Sequence, residues 1–226
     1  MNEYREDLAW IHHAGFSAFI EAAAPGLLAR IGPPPGLVVD VGCGSGIWAR
    51  TLLNAGFDVL GIDASPAMIA LARGNAPRAT FVRGSFDSIA IPPCLAITAI
   101  GEVLNYGSLD GVRSFIANAA DATRLLIFDI AEGGSYPPHE ERRVGGHDWS
   151  VIVLKDSDGR RLTRRVLTFR EIGGEVRRDE EVHELELYDR NEILSLLREA
   201  GFRVNTRRSY GKARLPKGHA VYVCTR

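Results

Sequence analysis

Apolar positions along the chain keep two different rhythms, and the change from one to the other maps its organisation. Over residues 1–31, Leu8, Ile11, His12, Gly15 and Phe19 recur at three- and four-residue steps, which predicts a helix. The run Gly32-Pro33-Pro34-Pro35-Gly36 ends that pattern as a stiff connector. From Leu37 onward, short apolar runs alternate with helical stretches. Strands are predicted at Leu37 to Val41, Asp58 to Ile62, Thr80 to Val82, Leu95 to Ile100 and Arg124 to Ile130. Helices fall between them at Ile47 to Asn54, after Ser65-Pro66, and around Leu109 to Ala120. Ser65 is suited to cap its helix, and Pro66 to the first helical position, where a missing N–H costs nothing. Such alternation predicts an α/β fold with a doubly wound, mostly parallel sheet and helices on both faces.

Residues 132–187 interrupt the alternation. Trp149 to Leu154, Leu162 to Phe169 and Glu180 to Leu187 read as strands of an antiparallel β insertion. Turn chemistry joins them at Asp156-Ser157-Asp158-Gly159 and at Gly173-Gly174. The earlier rhythm then resumes with a capping box, Asp189 and Glu192, for a helix from Arg190 to Ala200 that stops at Gly201. Phe202 to Thr206 and Ala220 to Cys224 complete seven strands, the last two predicted as an antiparallel pair with a short connection. Three units follow: a helical lid over 1–35, an α/β domain over 36–131 with 188–226, and the insertion over 132–187. An insertion after the fifth strand lies near the carboxyl edge of the sheet, where it can cover a substrate.

Composition narrows the function classes. With 46% hydrophobic and 24% charged residues, the 226-residue chain is ordinary for a globular protein. Its 27 Lys and Arg against 28 Asp and Glu leave a net charge of -1, so a strongly basic nucleic-acid binder is not indicated. Cys43, Cys94 and Cys224 are too few and too scattered for a disulfide framework or a zinc site, and no metal is expected. No stretch reaches 18 apolar residues and the N-terminus is acidic, so no membrane span or signal peptide is expected and the location expected is cytoplasmic.

The densest chemical signal is Val38-Val39-Asp40-Val41-Gly42-Cys43-Gly44-Ser45-Gly46, between the first strand and its helix. Glycines there allow tight turning and close approach to a ligand, and the helix start offers free N–H groups. Asp63 ends the next strand, where an acidic side chain accepts bonds from ribose hydroxyls in nucleotide-binding βαβ units. A dinucleotide fingerprint beginning at Gly42 and Gly44 would need glycine at 47, where Ile47 stands.

In these residues the chain resembles the seven-stranded, Rossmann-like (class I) S-adenosylmethionine-dependent methyltransferases, over about 36–131 and 188–226. The resemblance implies a seven-stranded sheet with its last strand antiparallel, and S-adenosylmethionine as cofactor with S-adenosylhomocysteine as product. It implies that Asp40, Gly42, Cys43, Gly44 and Gly46 wrap the methionine part, and that Asp63, with Ala64 beside it, holds the ribose. After the third strand the family usually has Gly-Asp against the adenine; this chain has Ser85-Phe86-Asp87, leaving Ser85 and Asp87 as alternatives. The loop Gly101-Glu102-Val103-Leu104-Asn105-Tyr106 is expected near the sulfonium and the substrate, with Glu102 holding a cofactor ammonium or a substrate group.

Methyl transfer is an in-line displacement in which the protein chiefly positions the nucleophile, so a base is needed only if that nucleophile must lose a proton. His147 and Glu102 are the candidates for such a catalytic role, and Tyr4, Trp10, His12, Tyr106 and Trp149 for the substrate pocket. His183, in a strand full of charges, is expected to be exposed. Residues 139–226 hold 19 of the 27 Lys and Arg but also 15 acids, and the pairs Arg142-Arg143, Arg160-Arg161, Arg164-Arg165 and Arg177-Arg178 suit solvated strand faces. The function expected is methylation of O or N on a small molecule, with no nucleic acid or membrane partner, by a monomer or homodimer. Rival readings are a non-catalytic cofactor-binding module, an RNA or protein methyltransferase, and an aminopropyl transferase using a decarboxylated cofactor.

Overall fold

A computed structural model describes residues 4–134 and 136–226. A seven-stranded sheet forms the frame, built from β1 (Leu37–Val41), β2 (Asp58–Asp63), β3 (Thr80–Arg83), β4 (Ala96–Ala99), β5 (Leu125–Ala131), β10 (Arg203–Arg207) and β13 (His219–Thr225). Their spatial order is β10-β13-β5-β4-β1-β2-β3. Every neighbouring pair is parallel except those made by β13, which runs antiparallel to both β5 and β10. The expected topology is met, including the antiparallel last strand. Two parallel register pairs, Asp40 with Gly61 and Asp40 with Thr98, bring the carboxyl ends of β1, β2 and β4 to one edge.

Alternation along each strand feeds two cores. Val38, Ile127, Val221 and Val223 face α1 (Glu6–Ile31), α2 (Ile47–Asn54) and α3 (Pro66–Asn75). Val39, Val41, Ile97, Phe128 and Tyr222 face α4 (Leu109–Ala122) and α5 (Arg190–Glu199). Burying each large side chain contributes about 1.5–3 kcal/mol, which makes the two faces the main source of stability. The caps act as their chemistry requires. Ser65 Oγ accepts from Met68 N, Ser108 Oγ accepts from Gly111 N, and Asp189 with Glu192 forms a reciprocal capping box.

Residues after β5 form a separate antiparallel sheet, β6 (His139–Gly145), β7 (Trp149–Ser157), β8 (Arg161–Ile172) and β9 (Glu175–Glu186), in that order. Its first strand has no counterpart among the strands expected from sequence. The run HEERRVG offers no apolar alternation, and six of its seven residues are exposed, because β6 is an outer strand with little to bury. β8 and β9 also reach further than predicted, to a turn at Gly173 (φ 62°) and Gly174 (φ 84°) whose positive φ values suit a tight hairpin.

The first turns of α1 lie on the inner face of this sheet. Leu8 and Ile11 pack against Val151 and Val166, and Trp10 and Trp149 join the same cluster. Asp7, buried, receives Arg177 Nε at 2.7 Å and Arg170 Nη1 at 3.2 Å, while Glu181 accepts from Arg5 N at 3.2 Å. At its other end α1 meets a small hairpin, β11 (Ser209–Tyr210) and β12 (Ala213–Arg214), inside what the sequence suggested was a plain connection. Gly26 makes that approach possible, since a Cβ there would come within 2.6 Å of Gly211 N. Among the described residues no single helix is long and apolar enough to cross a membrane.

Two expectations are corrected. His183 is buried, with 2% exposure, because inner-face positions of β9 alternate with its charged outer ones. Arg164 is likewise turned inward, unlike its neighbour Arg165, since successive residues of β8 point to opposite faces.

Candidate functional site

A cavity of about 940 Å³ opens at the carboxyl ends of β1 to β4, beneath α1 and the insertion. The glycine loop forms its floor. Gly42, Gly44 and Gly46 have φ of 65°, 53° and 78°, the left-handed region that side chains disfavour. A Cβ on Gly42 would lie 2.3 Å from Val103 Cγ2, and one on Gly46 would meet the backbone of Ala72 at 3.0 Å, whereas at Gly44 it would meet nothing within 4 Å. The first and third glycines therefore serve close packing, and the middle one bares the loop's backbone to the cavity.

Carboxylates brace this loop. Asp63 Oδ2 accepts from Gly44 N at 2.9 Å and Oδ1 from Ser65 N at 2.9 Å, tying the end of β2 to the glycine turn. Asp40, 2% exposed, accepts from Thr98 Oγ1 at 3.0 Å, and that hydroxyl in turn accepts from Trp48 Nε1 at 3.2 Å. Burial, with the nearby charge of Asp63, pushes the Asp40 carboxyl up to about 7. Burial also raises the Cys43 thiol, which stays protonated in the cavity wall.

α1 closes over the floor. Ser65 Oγ donates to Tyr4 O at 2.6 Å, His13 Nδ1 lies 2.9 Å from Ser45 Oγ, and Asn75 Nδ2 donates to Ser45 O at 2.8 Å. His12 lines the cavity, and burial lowers its imidazole to about 4, so it is neutral at pH 7. The phenols of Tyr4 and Tyr106 stand 3.4 Å apart in the wall, both held protonated by burial, with the His183 ring against each.

The loop after β4 is fixed from below. Asp129 accepts from Gly101 N at 2.8 Å, Glu102 N at 3.1 Å and Tyr210 Oη at 2.6 Å; burial outweighs these bonds and raises its carboxyl to about 6. Asn105 donates to Ala131 O and Glu186 O and accepts from Ala131 N, linking β5 to the insertion. Glu102 itself has φ 62°, the one positive φ outside glycine among the described residues. Its carboxylate takes Arg164 Nη2 at 2.5 Å and His219 Nε2 at 2.9 Å. Burial would raise this carboxyl, but the Arg164 guanidinium and the hydrogen bond from the His219 ring hold it down to about 2.

The structure thus brings most of the sequence candidates to one cavity and leaves some outside. Asp40, Gly42, Cys43, Gly44, Asp63, Ala64, Ser85, Phe86 and Gly101 line it, as do Tyr4, His12 and Tyr106. Gly46 stands behind the loop against α3. Asp87 is exposed and forms no part of the wall. His147 sits at the exposed β6–β7 turn, far along a hairpin whose inner face is taken by α1. Trp10 and Trp149 face the α1 contact and not the cavity, Trp10 stacked 3.9 Å beneath the Arg170 guanidinium. Glu102 is committed to its ion pairs behind the wall. Sequence reasoning missed Arg164, His219 and Asn105, which are recognisable only when β8, β13 and the loop after β4 converge.

Comparisons with known proteins agree with this geometry. Residues 38–125 match a family described as a methyltransferase domain. A mitochondrial ubiquinone biosynthesis O-methyltransferase from Schizosaccharomyces pombe is 29% identical over 105 residues; the match spans 42% of this chain and 38% of that protein. Among solved structures, DesVI from Streptomyces venezuelae superposes with a TM-score of 0.82 at 17% identity over 98% of this chain and 99% of its own. CalS10, an amino pentose methyltransferase from Micromonospora echinaspora, has a TM-score of 0.74 at 20% identity over 100% and 99%. KedS8, a sugar N-methyltransferase from Streptoalloteichus, has a TM-score of 0.77 at 17% identity over 100% and 94%. At such identities the likeness concerns the fold.

Proposed function

We propose that this chain, a member of the seven-stranded S-adenosylmethionine-dependent methyltransferases, transfers a methyl group to an oxygen or nitrogen of a small molecule. One observation carries the reading: the glycine turn presents the bare backbone of Gly44 to the cavity beside Asp63, at the carboxyl edge of the sheet. The bound cofactor's sulfonium supplies an activated methyl carbon, and the protein's part is to hold and orient. The loop from Asp40 to Gly46 is assigned to the methionine part, Asp63 and Ala64 to the ribose, and Ser85 with Phe86 to the adenine. Asp87, exposed outside the wall, is given no part in this reading.

The cover is read as α1 and residues 132–187. Tyr4, His12 and Tyr106 face the remaining volume and offer phenol and imidazole groups that orient an acceptor by hydrogen bonds. His12, neutral at pH 7, contributes an imidazole to the wall beside the carboxylates that also line it. Neither His147 nor Glu102 is given a part in proton transfer, the one for its distance from the cavity and the other for its ion pairs. A cavity of about 940 Å³ suits a cofactor with a small acceptor. The fold is shared with CalS10 and KedS8, which are named for amino pentose and sugar N-methylation, so amino sugars head the acceptors to be tried.

Calorimetry with S-adenosylhomocysteine tests the cofactor reading, with Asp63→Ala expected to weaken binding at least about tenfold, roughly 1.4 kcal/mol. Labelled S-adenosylmethionine offered with panels of amino sugars, other amines and phenols tests transfer. Binding without methylated product from any panel would favour a cofactor-binding module.

A further inference from the structure

We propose that the side of the molecule formed by α1, α2, β10 and the β11–β12 hairpin is a basic docking surface for an anionic lipid bilayer, on which the chain lies without crossing it. Charge is divided unevenly along the sequence. Glu199 is the last acid, and residues 203–226 carry seven Lys and Arg. All 28 Asp and Glu therefore stand before residue 203, against the remaining 20 of the 27 Lys and Arg, so a net charge of -1 hides -8 followed by +7. The expectation of no membrane partner came from apolar runs too short to span a bilayer, and surface contact needs no such run.

Folding gathers the excess cations on one side. Arg203 and Arg207 stand opposite Thr225 and Val221 across β10 and β13, and residues opposite one another in an antiparallel pair share a face. Val221 and Val223 on that face belong to the same core as Ala23 and Leu27 of α1, so the two arginines project on the α1 side of an outermost strand. Lys212 and Arg214 follow in the hairpin, which α1 meets at Gly26 and Gly211. Residues three and four apart adjoin on a helix, so Ala22, Ala29 and Arg30 surround that contact beside Lys212. Arg50 lies on α2, which packs on α1 as well. All six cations are exposed, and none forms an ion pair among the described residues. Against them α1 carries one acid beyond Asp7, Glu21, and α2 and α3 carry none.

Arginine on an outermost strand guards against edge-to-edge pairing, which accounts for Arg203 and Arg207. It does not account for Arg30, Arg50, Lys212 or Arg214, which lie off that strand. The ground between the cations says which anionic partner fits. Its exposed positions on α1 include Ala18, Ala22, Pro25 and Ala29, short apolar side chains that let a broad surface come close. They supply neither the hydrogen-bonding nor the stacking groups by which nucleic acid is gripped. The large hydrophobic side chains that are exposed, such as Val144, Ile172 and Val176, lie on other elements, so this side lacks the anchors that dominate a protein interface. What it offers is many separate cations over apolar ground, which matches the mobile headgroups of an anionic leaflet. Each Lys or Arg near such a leaflet strengthens binding about fivefold.

Co-sedimentation of the full chain with lipid vesicles tests the inference. Phosphatidylcholine vesicles holding about one third phosphatidylglycerol should bind it at least about tenfold more tightly than phosphatidylcholine alone. That binding should be lost as salt rises from about 50 to about 500 mM. Lys212→Glu/Arg214→Glu and Arg203→Glu/Arg207→Glu should each weaken it at least about tenfold, with circular dichroism and melting temperature unchanged. Arg142→Glu/Arg143→Glu, the same change of charge on exposed β6, should leave it as it was. No binding at low salt, equal binding to neutral vesicles, or a loss in the β6 variant as large as in the other two would overturn the proposal. So would tighter binding of single-stranded RNA than of the anionic vesicles, which gives this side to nucleic acid. A dimer in vesicle-free solution that Lys212→Glu/Arg214→Glu dissociates would overturn it too, by giving this side to a second copy.

Discussion

Glu102 and Arg164, 62 residues apart in the chain, meet with Oε2 and Nη2 at 2.5 Å behind the cavity wall. The pair fastens the insertion to the loop after β4. It also explains why a non-glycine residue holds φ 62° there: the carboxylate is caught from three sides by Arg164, His219 and Tyr136, so the surroundings determine the backbone. Both side chains are only 17% exposed, and a lone charge in that setting is costly.

Arg164→Met should therefore destabilise the fold by about 3 kcal/mol, through the stranded Glu102 charge more than through lost attraction. Adding Glu102→Gln to it should recover part of the loss. Urea unfolding of the single and double variants checks this, and additive losses would show that the two side chains are not coupled.

The glycine loop predicts an unequal pair of substitutions. Gly42→Ala meets both an unfavourable φ and Val103 at 2.3 Å, so it should cost about 3 kcal/mol or more and abolish S-adenosylhomocysteine binding. Gly44→Ala meets open space and should cost about 1–2 kcal/mol, the left-handed penalty alone. Its effect should fall on ligand affinity instead, since the added methyl stands where the loop faces the cavity. Thermal melts and calorimetry together separate the two outcomes.

Stability of the ligand-free chain should depend on pH through Asp40 and Asp129. Their carboxyls are raised, to about 7 and about 6, above the usual 3.8. The native state thus holds protons that the unfolded chain has released, and stability present below about pH 4 is lost as pH rises towards 7. At 1.36 kcal/mol per unit, Asp40 accounts for about 4 kcal/mol as an upper bound. Asp40→Asn should flatten that slope when urea unfolding is followed from pH 5 to 8, and a slope unchanged from the unsubstituted chain would refute the assignment.

Asp7 anchors the start of α1 to the insertion. Arg177 and Arg170 hold its carboxyl below the ordinary range, against the effect of burial. Asp7→Ala should cost about 2 kcal/mol or more by leaving Arg170, itself largely buried, without its ion pair. Amide exchange should speed up over residues 4–15 first, while the seven-stranded sheet keeps its protection.

Local chemistry in the sequence determined the cofactor half of this protein. Strand periodicity, the Ser65 and Asp189 caps, and the glycines at 42, 44 and 46 act within a few residues of themselves, so each was legible before any contact was known. The half built from α1 and the insertion was decided by tertiary structure. β6 has no apolar alternation because it buries almost nothing, and His183 and Arg164 look solvated until strand pairing gives them the inner face. Trp149 was placed by how α1 lies on the sheet, and the Glu102, Arg164 and His219 cluster joins three distant segments. Burial and charge pairing at long range depend on which faces meet, and that is settled only when the insertion, α1 and the sheet edge close on one another.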